Sequence, residues 1–443
     1  MEFAMNGKMC SCGKIHKTTV KRCEVGAGAV EKLIDFVKAK GASQVYVLSD
    51  VNTYRIAGER VEALLKSGGV LVTSYTFNSE SLEPDERAVG SALMHYTKET
   101  ELLIAVGSGV INDITKLVAA AVEKPYFVVA TAPSMDGYAS NSSSMVRDGL
   151  KVSIPAACPE VIIGDTDILK TAPKQMLISG LGDMLAKYVS ICEWRIANYI
   201  NGEYYCPEIA QFVKDALKRC VDNKDGLLSG DSAALEAVFL GLVACGQGME
   251  FAGASRPASG IEHYFSHVWD MRGLEFGTPI DTHGIQCAVG TALAVKLYEK
   301  LREFKPTKKR AIDYASGFSF DTWADTLRKF LGKGAEAMIK AEANDGKYSV
   351  EKHKARIDRI IDGWDHILDI IDTSLPEYSE LLEILESVGL PTTPEELGHS
   401  AEEVELAFSA TRDIRDKYVL SRLAWDIGAT DYLVGCINDP KGE

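Results

Sequence analysis

Three of the eight histidines in this 443-residue chain lie within 21 residues of one another, and their spacing points to metal chemistry. His263 and His267 stand four positions apart in IEHYFSH, so on a helix they share one face. His283 follows in DTHG, and Asp183 lies upstream in GLGDMLAKY. A carboxylate with two imidazoles suits a divalent transition metal and leaves coordination positions open for a substrate. The spacing does not decide which histidine is a ligand, and a structural histidine pair is the alternative.

Polar or glycine-rich turns follow three of the predicted strands: Asp50, then Gly107-Ser108-Gly109, then Thr131 to Ser134. Ligands in open parallel sheets bind at the carboxyl ends of strands, so we expect the three turns to face one crevice. The two glycines would let backbone N–H groups and a helix N-terminus approach a phosphate, and Asp50 would accept hydrogen bonds from a ribose diol, which favours NAD. The third glycine of GxGxxG is missing, so a purely conformational role is the alternative.

Two further segments carry groups that could bind a substrate. The segment PSMDGYASNSSS, residues 133–144, offers Asp136, Ser140 and Asn141 directly after a predicted strand, although such composition is also typical of an ordinary loop. Arg256 in GASRPASG precedes the histidine segment by a few residues. Its guanidinium fork matches phosphate oxygens, so it is a candidate anion anchor, with a structural ion pair as the alternative.

The elements that must position these residues change in type near Pro173. Up to about residue 165, apolar β-branched runs alternate with helical stretches, a pattern typical of a parallel sheet covered on both faces. After Pro173 the pattern is almost entirely helical. We therefore predict an α/β Rossmann-like domain over 1–172 and an α-helical metal- and substrate-binding domain over 173–443, with a charged, solvated helical elaboration at 303–372. The strands are predicted at 45–50, 70–77, 101–107, 126–131 and 160–165.

Composition and charge exclude several classes of function. Hydrophobic residues make up 46% of the chain and charged residues 25%, which is ordinary globular usage. The formal net charge of −15 disfavours nucleic acid and anionic membranes as partners. The most apolar window, 237–246, is about half as long as the roughly 20 residues of a membrane-spanning helix, so a buried core helix is expected. The start of the chain lacks the features of a signal peptide, and the ten scattered cysteines indicate reduced thiols in a cytoplasmic protein.

Five motifs, taken together and in this order, resemble the glycerol-1-phosphate dehydrogenases of the iron-containing alcohol dehydrogenase and dehydroquinate synthase superfamily. They are GSGVINDITK, TAPSMDGYAS, GLGDMLAKY, SRPASGIEHYFSH and DTHGIQ. The resemblance covers about residues 20 to 300 and continues more weakly to the C-terminus. It implies reversible, NADH- or NADPH-dependent reduction of dihydroxyacetone phosphate to sn-glycerol 1-phosphate by a homodimer.

The resemblance also implies roles for individual residues. Asp183, His263 and His283 would hold one divalent metal, Zn²⁺, Ni²⁺ or Fe²⁺, while His267 would contact substrate or relay a proton. Asp136 would contact substrate, as would Asp183, which is also counted as catalytic. The residues that would bind NAD(P) are Gly109, Val110, Ile111, Asn112, Asp113, Thr131, Ala132, Pro133, Ser134 and Ser140.

Other functions and one segment stay open at this point. A polyol dehydrogenase acting on glycerol, a carbocycle-forming lyase resembling dehydroquinate synthase, and an inactive sensor are the alternatives. The N-terminal CSCGKIH carries Cys10, Cys12 and His16, which offer three metal ligands. Three ligands do not close a zinc site, so we expect residues 1–19 to form a mobile arm.

Overall fold

The computed structural model describes residues 5–437, which form two compact units. The α/β unit contains the described residues up to Met184 together with Glu208–Ala254. The helical unit contains Leu185–Pro207 and the described residues from Ser255 onward. The chain therefore leaves the α/β unit, returns to it and leaves again, a division that the single predicted boundary after residue 172 does not describe.

The α/β unit is built on a six-stranded sheet whose pairings are all parallel. Its strands are β1 (Arg22–Gly26), β2 (Gln44–Asp50), β3 (Leu71–Phe77), β4 (Leu102–Gly107), β5 (Tyr126–Ala130) and β8 (Val161–Asp165), in the order β1-β8-β5-β4-β2-β3. The antiparallel hairpin of β6 (Ser142–Arg147) and β7 (Leu150–Pro155) stands outside this sheet. The five predicted strands are confirmed, whereas β1 and the hairpin were not predicted.

Helices account for most of the remaining elements. They are α1 (Leu33–Lys40), α2 (Val51–Thr53), α3 (Glu59–Ser67), α4 (Glu86–His95), α5 (Gly109–Ala121), α6 (Thr166–Leu169), α7 (Lys174–Leu185), α8 (Lys187–Asn201), α9 (Pro207–Asp222), α10 (Ser232–Ala252), α11 (Ile261–Phe276), α12 (His283–Glu303), α13 (Lys308–Ser316), α14 (Phe320–Leu331), α15 (Gly334–Asp345), α16 (Val350–Asp362), α17 (Trp364–Asp372), α18 (Tyr378–Ser387), α19 (Ala401–Thr411), α20 (Leu420–Ile427) and α21 (Thr430–Ile437). Short 3₁₀ helices lie at Ala29–Lys32, Asp136–Ala139, Lys224–Ser229 and Pro394–Leu397, and a π-helical turn at Tyr54–Gly58 joins α2 to α3. The α/β architecture followed by a mainly helical region is confirmed.

The apolar helix α10 belongs to the core of the α/β unit. It is long and apolar enough to cross a membrane, yet 72% of its most apolar window is buried inside the protein. Gly164 of β8 shows how closely it packs, since a Cβ there would lie 2.4 Å from the Phe239 ring. A core helix passes the same test of length and composition, so this one helix is weak evidence for a membrane span.

The charged segment 303–372 is anchored by buried ion pairs and is therefore more than a solvated surface. Arg422 on α20 contacts Glu342 of α15 at 3.0 Å and Asp413 at 2.6 Å. Arg356 on α16 contacts Asp426 of α20 at 2.7 Å. These pairings matter because an unpartnered charge in the interior costs several kcal/mol. The segment is thus built into the helical unit through α20.

The N-terminal segment also departs from the prediction. Residues 1–4 lie outside the described residues, but residues 5–19 are held against α9 and α10 instead of forming a mobile arm. Glu250 of α10 accepts hydrogen bonds from the Thr18 hydroxyl at 2.6 Å and from the Thr19 backbone N–H at 2.8 Å. Ser11 N–H donates to Glu208 of α9 at 2.9 Å. Side-chain acceptors on two helices therefore hold this segment in place.

Candidate functional site

The predicted dinucleotide turns lie side by side because β4 and β5 are neighbours. Gly107 pairs with Ala130 in the sheet, and the Ser108 and Ser134 hydroxyls approach to 2.6 Å. A Cβ at Gly107 would lie 2.5 Å from that of Ile111, so the tight entry into α5 requires glycine. Ser108 makes no side-chain cap at the start of α5. The first N–H groups of that helix can therefore bind an anion, as a dinucleotide phosphate requires.

A buried lysine, missed in the sequence, holds the following loop. Lys116 on α5 is fully buried, and its Nζ donates to Gly137 O at 2.5 Å, Ser140 Oγ at 2.8 Å and Ser142 O at 3.0 Å. Burial lowers the pKa of this ammonium, while Asp113 at 3.7 Å opposes that effect. Burial likewise raises the pKa of the Asp113 carboxyl to about 6, against the field of Lys116. The pair fixes the loop that carries Asp136 and Ser140.

Helix α7 joins this loop through buried polar contacts. The Asp183 carboxylate, fully buried, accepts from the Asp136 backbone N–H at 2.8 Å, and Ser179 Oγ donates to Ser134 O at 3.0 Å. Cys245 Sγ of α10 lies 3.2 Å from Asp136 Oδ2. Asp136 and Asp183, predicted from separate motifs, are thus adjacent in the α/β unit.

Three histidines come together in the helical unit, where α11 packs on α12. The ring centroids of His263 and His283 lie 5.0 Å apart, and those of His267 and His283 lie 6.3 Å apart. Cys287, one turn after His283 on α12, was not predicted, although its i, i+4 spacing repeats that of His263 and His267. One potential ligand atom from each of His263, His283 and Cys287 lies within 4.8 Å of the others. These atoms form a cluster able to hold a metal ion.

Neighbouring acceptors and donors orient the two closest rings. His263 Nδ1 lies 2.9 Å from Glu262 Oε1, and His283 Nδ1 lies 3.1 Å from Ser266 Oγ. A carboxylate only accepts, so His263 carries its proton on Nδ1. Gln286 donates to Ser266 Oγ at 2.9 Å and to Asp270 at 3.0 Å, which fixes the serine beside His283. This is the supporting shell that metal-ligating histidines need.

Buried ionisable groups lie behind α11. Glu193 accepts from the N–H groups of Ile261 at 2.8 Å and Leu420 at 2.7 Å. Burial and repulsion by Glu262 nevertheless raise the pKa of Glu193 to about 8. Burial also lowers the pKa of the Lys417 ammonium to about 7, although its Nζ donates to Ser259 O at 2.7 Å. The Glu193 carboxyl is therefore largely protonated at neutral pH, which reduces the negative charge near the histidine cluster.

Arg256 and Asp50, both predicted to contact a ligand, already form hydrogen bonds with other residues of the protein. Arg256 is buried and directs Nε to Glu203 Oε1, Nη2 to Glu203 Oε2, and Nη1 to Tyr418 O at 3.2 Å. The structure therefore favours the ion-pair alternative over a phosphate anchor, because the fork already holds a carboxylate. Asp50 caps α2, its Oδ1 accepting from Asn52 and Thr53 N–H at 2.8 Å each. A ribose contact by Asp50 would have to coexist with this cap.

Comparisons with known proteins agree with the fold and the motifs. Residues 24–173 match a family model described as iron-containing alcohol dehydrogenase. A glycerol-1-phosphate dehydrogenase [NAD(P)+] of Halalkalibacterium halodurans is 30% identical over 384 residues, which cover 86% of each chain. Its counterpart from Methanosarcina mazei is 32% identical over 277 residues, 62% of this chain and 75% of that one. A glycerol dehydrogenase structure from Schizosaccharomyces pombe superposes with a TM-score of 0.63 at 20% identity, covering 96% of this chain and 92% of that chain, a likeness of fold.

Proposed function

The chain belongs to the glycerol-1-phosphate dehydrogenase family, and on that premise we propose that it reduces dihydroxyacetone phosphate reversibly to sn-glycerol 1-phosphate with NADH or NADPH. The observation that carries the proposal is the ring pair of His263 and His283. Glu262 lies against Nδ1 of His263 and Ser266 against Nδ1 of His283, so neighbouring residues on α11 orient both rings.

The proposed dinucleotide site is the turn between β4 and α5 with the loop after β5. Within the proposed segment Gly109 to Asp113, the backbone N–H groups of Gly109 to Ile111 would bind the pyrophosphate, because the Asn112 N–H already donates to Ser108 O at 3.0 Å. Thr131 to Ser134, held by the Ser108 hydroxyl, would contact the nicotinamide end, and Ser140 would be positioned by Lys116. These local features would offset the formal charge of −15 that opposes an anionic ligand.

The proposed metal ligands are Asp183, His263 and His283. The donor set fits a divalent ion, because one buried carboxylate and two oriented imidazoles suit Zn²⁺, Ni²⁺ or Fe²⁺. When bound, such an ion supplies Lewis-acid polarisation of a substrate carbonyl. The protein contributes the orientation: Glu262 and Ser266 fix the rings, and the Asp136 N–H holds the Asp183 carboxylate.

The remaining roles concern the substrate and its proton. His267 would supply the proton for the substrate oxygen, since its ring lies beside that of His283 without belonging to the ligand cluster. The nicotinamide cofactor would supply the hydride. Asp136 would accept a hydrogen bond from a substrate hydroxyl. We further propose that the protein is a cytoplasmic homodimer. Light scattering of the purified protein would check the dimeric state.

A pair of histidine variants tests the proposal. Metal-loaded protein should oxidise NADH when dihydroxyacetone phosphate is added. His263→Ala should lose metal and activity together, whereas His267→Ala should keep the metal and lose rate. His366→Ala, an exposed histidine on α17, is the matched control and should change neither. Equal metal loss in the first two variants would contradict the separate roles, and no NADH oxidation by loaded wild-type protein would reject the activity.

A second candidate is a dehydrogenase for an unphosphorylated polyol such as glycerol. The observation that favours it is Arg256, whose guanidinium is held by Glu203 and is not presented to a phosphate. Comparing kcat/KM for glycerol and sn-glycerol 1-phosphate decides between the two substrates. Release of inorganic phosphate without net change in NADH absorbance would instead indicate a carbocycle-forming lyase.

A further inference from the structure

Residues 7–16 form a short hairpin that brings thiol and imidazole groups together in the α/β unit. Gly7 N–H donates to His16 O at 2.8 Å, and Cys10 N–H donates to Lys14 O at 2.9 Å. At its tip, Gly13 N–H donates to Cys10 O at 2.9 Å, and Gly13 has a φ of 82°. This left-handed glycine closes the turn directly after the Cys-x-Cys pair, so both cysteines lie on the same tight turn.

The hairpin's three ligand-type side chains converge. One ligand atom from each of Cys10, Cys12 and His16 lies within 4.8 Å of the others, and Cys12 Sγ is 3.4 Å from His16 Nε2. His16 is 2% exposed, and its Nδ1 lies 3.0 Å from Phe251 O of α10. A backbone carbonyl only accepts, so the proton is on Nδ1 and the Nε2 lone pair faces the thiols. A carbonyl behind the distal nitrogen is a common support for a metal-bound histidine.

Chain connectivity supplies a fourth thiol, Cys206. Ser11, between the two hairpin cysteines, donates its N–H to Glu208 on the first turn of α9. Cys206 precedes Glu208 by two residues, which span at most about 7 Å of chain. Cys206 is fully buried and directly precedes the start of α9.

We propose that Cys10, Cys12, His16 and Cys206 bind one Zn²⁺ ion in a closed, structural site. Three thiolates and one imidazole complete a tetrahedral shell, with no position left for a substrate. The site goes beyond the proposed dehydrogenase function and shares no residue with the histidine cluster of α11 and α12. It joins the N-terminal hairpin to α9, and through the carbonyl of Phe251 to α10.

Metal content of the full chain tests this second site. In a His263→Ala background, zinc-supplemented protein should retain about one equivalent of zinc, because only the closed site remains. Adding Cys206→Ala should remove it. Adding Cys23→Ala, which removes a buried cysteine of β1, is the matched control and should leave the zinc in place. Zinc content unchanged by Cys206→Ala, or absent in the His263→Ala background, would overturn the proposal.

Cobalt substitution gives a second readout, which reports the type of ligand atom on the metal as well as metal content. Co²⁺-loaded His263→Ala protein should show thiolate-to-metal charge-transfer absorption. That absorption should vanish with Cys206→Ala. It should persist with Cys206→His, because histidine still offers a ligand atom at this position; this variant therefore separates loss of a ligand from an effect of the substitution itself. Absence of charge-transfer bands in the parent would refute thiolate ligation at this site, and their persistence in Cys206→Ala would refute the role of Cys206 as a ligand. These outcomes are read without NADH turnover, so they are separate from failure of the dehydrogenase proposal.

Discussion

Replacing Lys116 with methionine should weaken both the α/β unit and its dinucleotide site. Methionine preserves the apolar stem but removes the ammonium that donates to Gly137 O, Ser140 Oγ and Ser142 O. The loop between β5 and β6 then loses its principal link to α5. This loop carries Asp136 and Ser140, which are proposed to contact substrate and dinucleotide. The substitution should therefore disturb both contacts although Lys116 itself is not a proposed binding residue.

The contacts give the size of the effect. The Ser140 hydroxyl also lies 3.1 Å from Gly137 O and 2.9 Å from Ser142 O, so it can keep one of the two carbonyls satisfied. With the hydroxyl on Ser142 O, Gly137 O keeps only the longer hydrogen bond from Asn112 Nδ2 at 3.3 Å, so the cost is the loss of hydrogen bonds from a charged donor, about 1.5–3 kcal/mol. Loss of the cation beside Asp113 adds to this cost, whereas removal of a buried ammonium offsets part of it. We expect a net loss of about 2–3 kcal/mol, or roughly 5–10 °C in the Tm of a unit of this size.

Two measurements check the Lys116→Met prediction. Circular dichroism should report the lower Tm, and NADH fluorescence titration should show a Kd raised about tenfold, equivalent to about 1.4 kcal/mol. Lys38→Met, at an exposed position on α1, is the matched control and should change neither value. A Lys116→Met protein with wild-type Tm would refute the structural role of the lysine. A lower Tm with unchanged Kd would refute the link from this loop to the dinucleotide.

Three further substitutions give distinct signatures. Gly180→Ala would place a Cβ 1.8 Å from the backbone carbonyl oxygen of Pro133 in the dinucleotide loop. It should lower the free energy of unfolding, measured with denaturant, by more than about 2 kcal/mol. Gly90→Ala, the control, has open space around the new Cβ and should leave that free energy unchanged or raise it. Because the pKa of Glu193 is raised to about 8 from an ordinary value of 4.5, the folded state binds its proton more tightly, so stability should fall as pH rises between these values. Glu193→Gln should flatten that fall, which reaches roughly 1.4 kcal/mol per pH unit; an unchanged slope would contradict the assignment. Arg256→Met should lower stability by about 2 kcal/mol without changing KM for dihydroxyacetone phosphate, and a large selective rise in KM would restore the phosphate-anchor role.

The central strands were predictable because their sequences are continuously apolar. Leu102–Gly107 and Tyr126–Ala130 are completely buried and read as continuous apolar runs, which a doubly covered parallel strand requires. The edge strand Arg22–Gly26 has mixed exposure, and the hairpin strand Ser142–Arg147 is rich in serine, so neither carries a clear period. Their pairing partners, distant in sequence or fixed by a turn, determine these strands more than their own composition does.

The candidate site was predictable where rare residue types cluster in sequence. Three histidines within one short stretch marked the later ring cluster, but spacing could not show that Arg256 would meet Glu203 across 53 positions. Lys116 carried a usable signal, a lone cation on the apolar face of the helix after the glycine turn. Cys206 carried none, because nothing local connects it with a hairpin almost two hundred residues upstream.

The returning segment α9–α10 has a consequence for synthesis on the ribosome. The sheet strands are complete at Asp165, yet Phe239 of α10 has not been translated by then. Its ring packs on β8, and its centroid lies 5.4 Å from that of Tyr138. At roughly 5–20 residues per second, the nascent sheet waits several seconds with that face uncovered. During this interval we expect the uncovered apolar face to be open to chaperone binding. A fragment ending at residue 172 would remain permanently in that state, so an expressible cofactor-binding fragment must include the chain through Ala254.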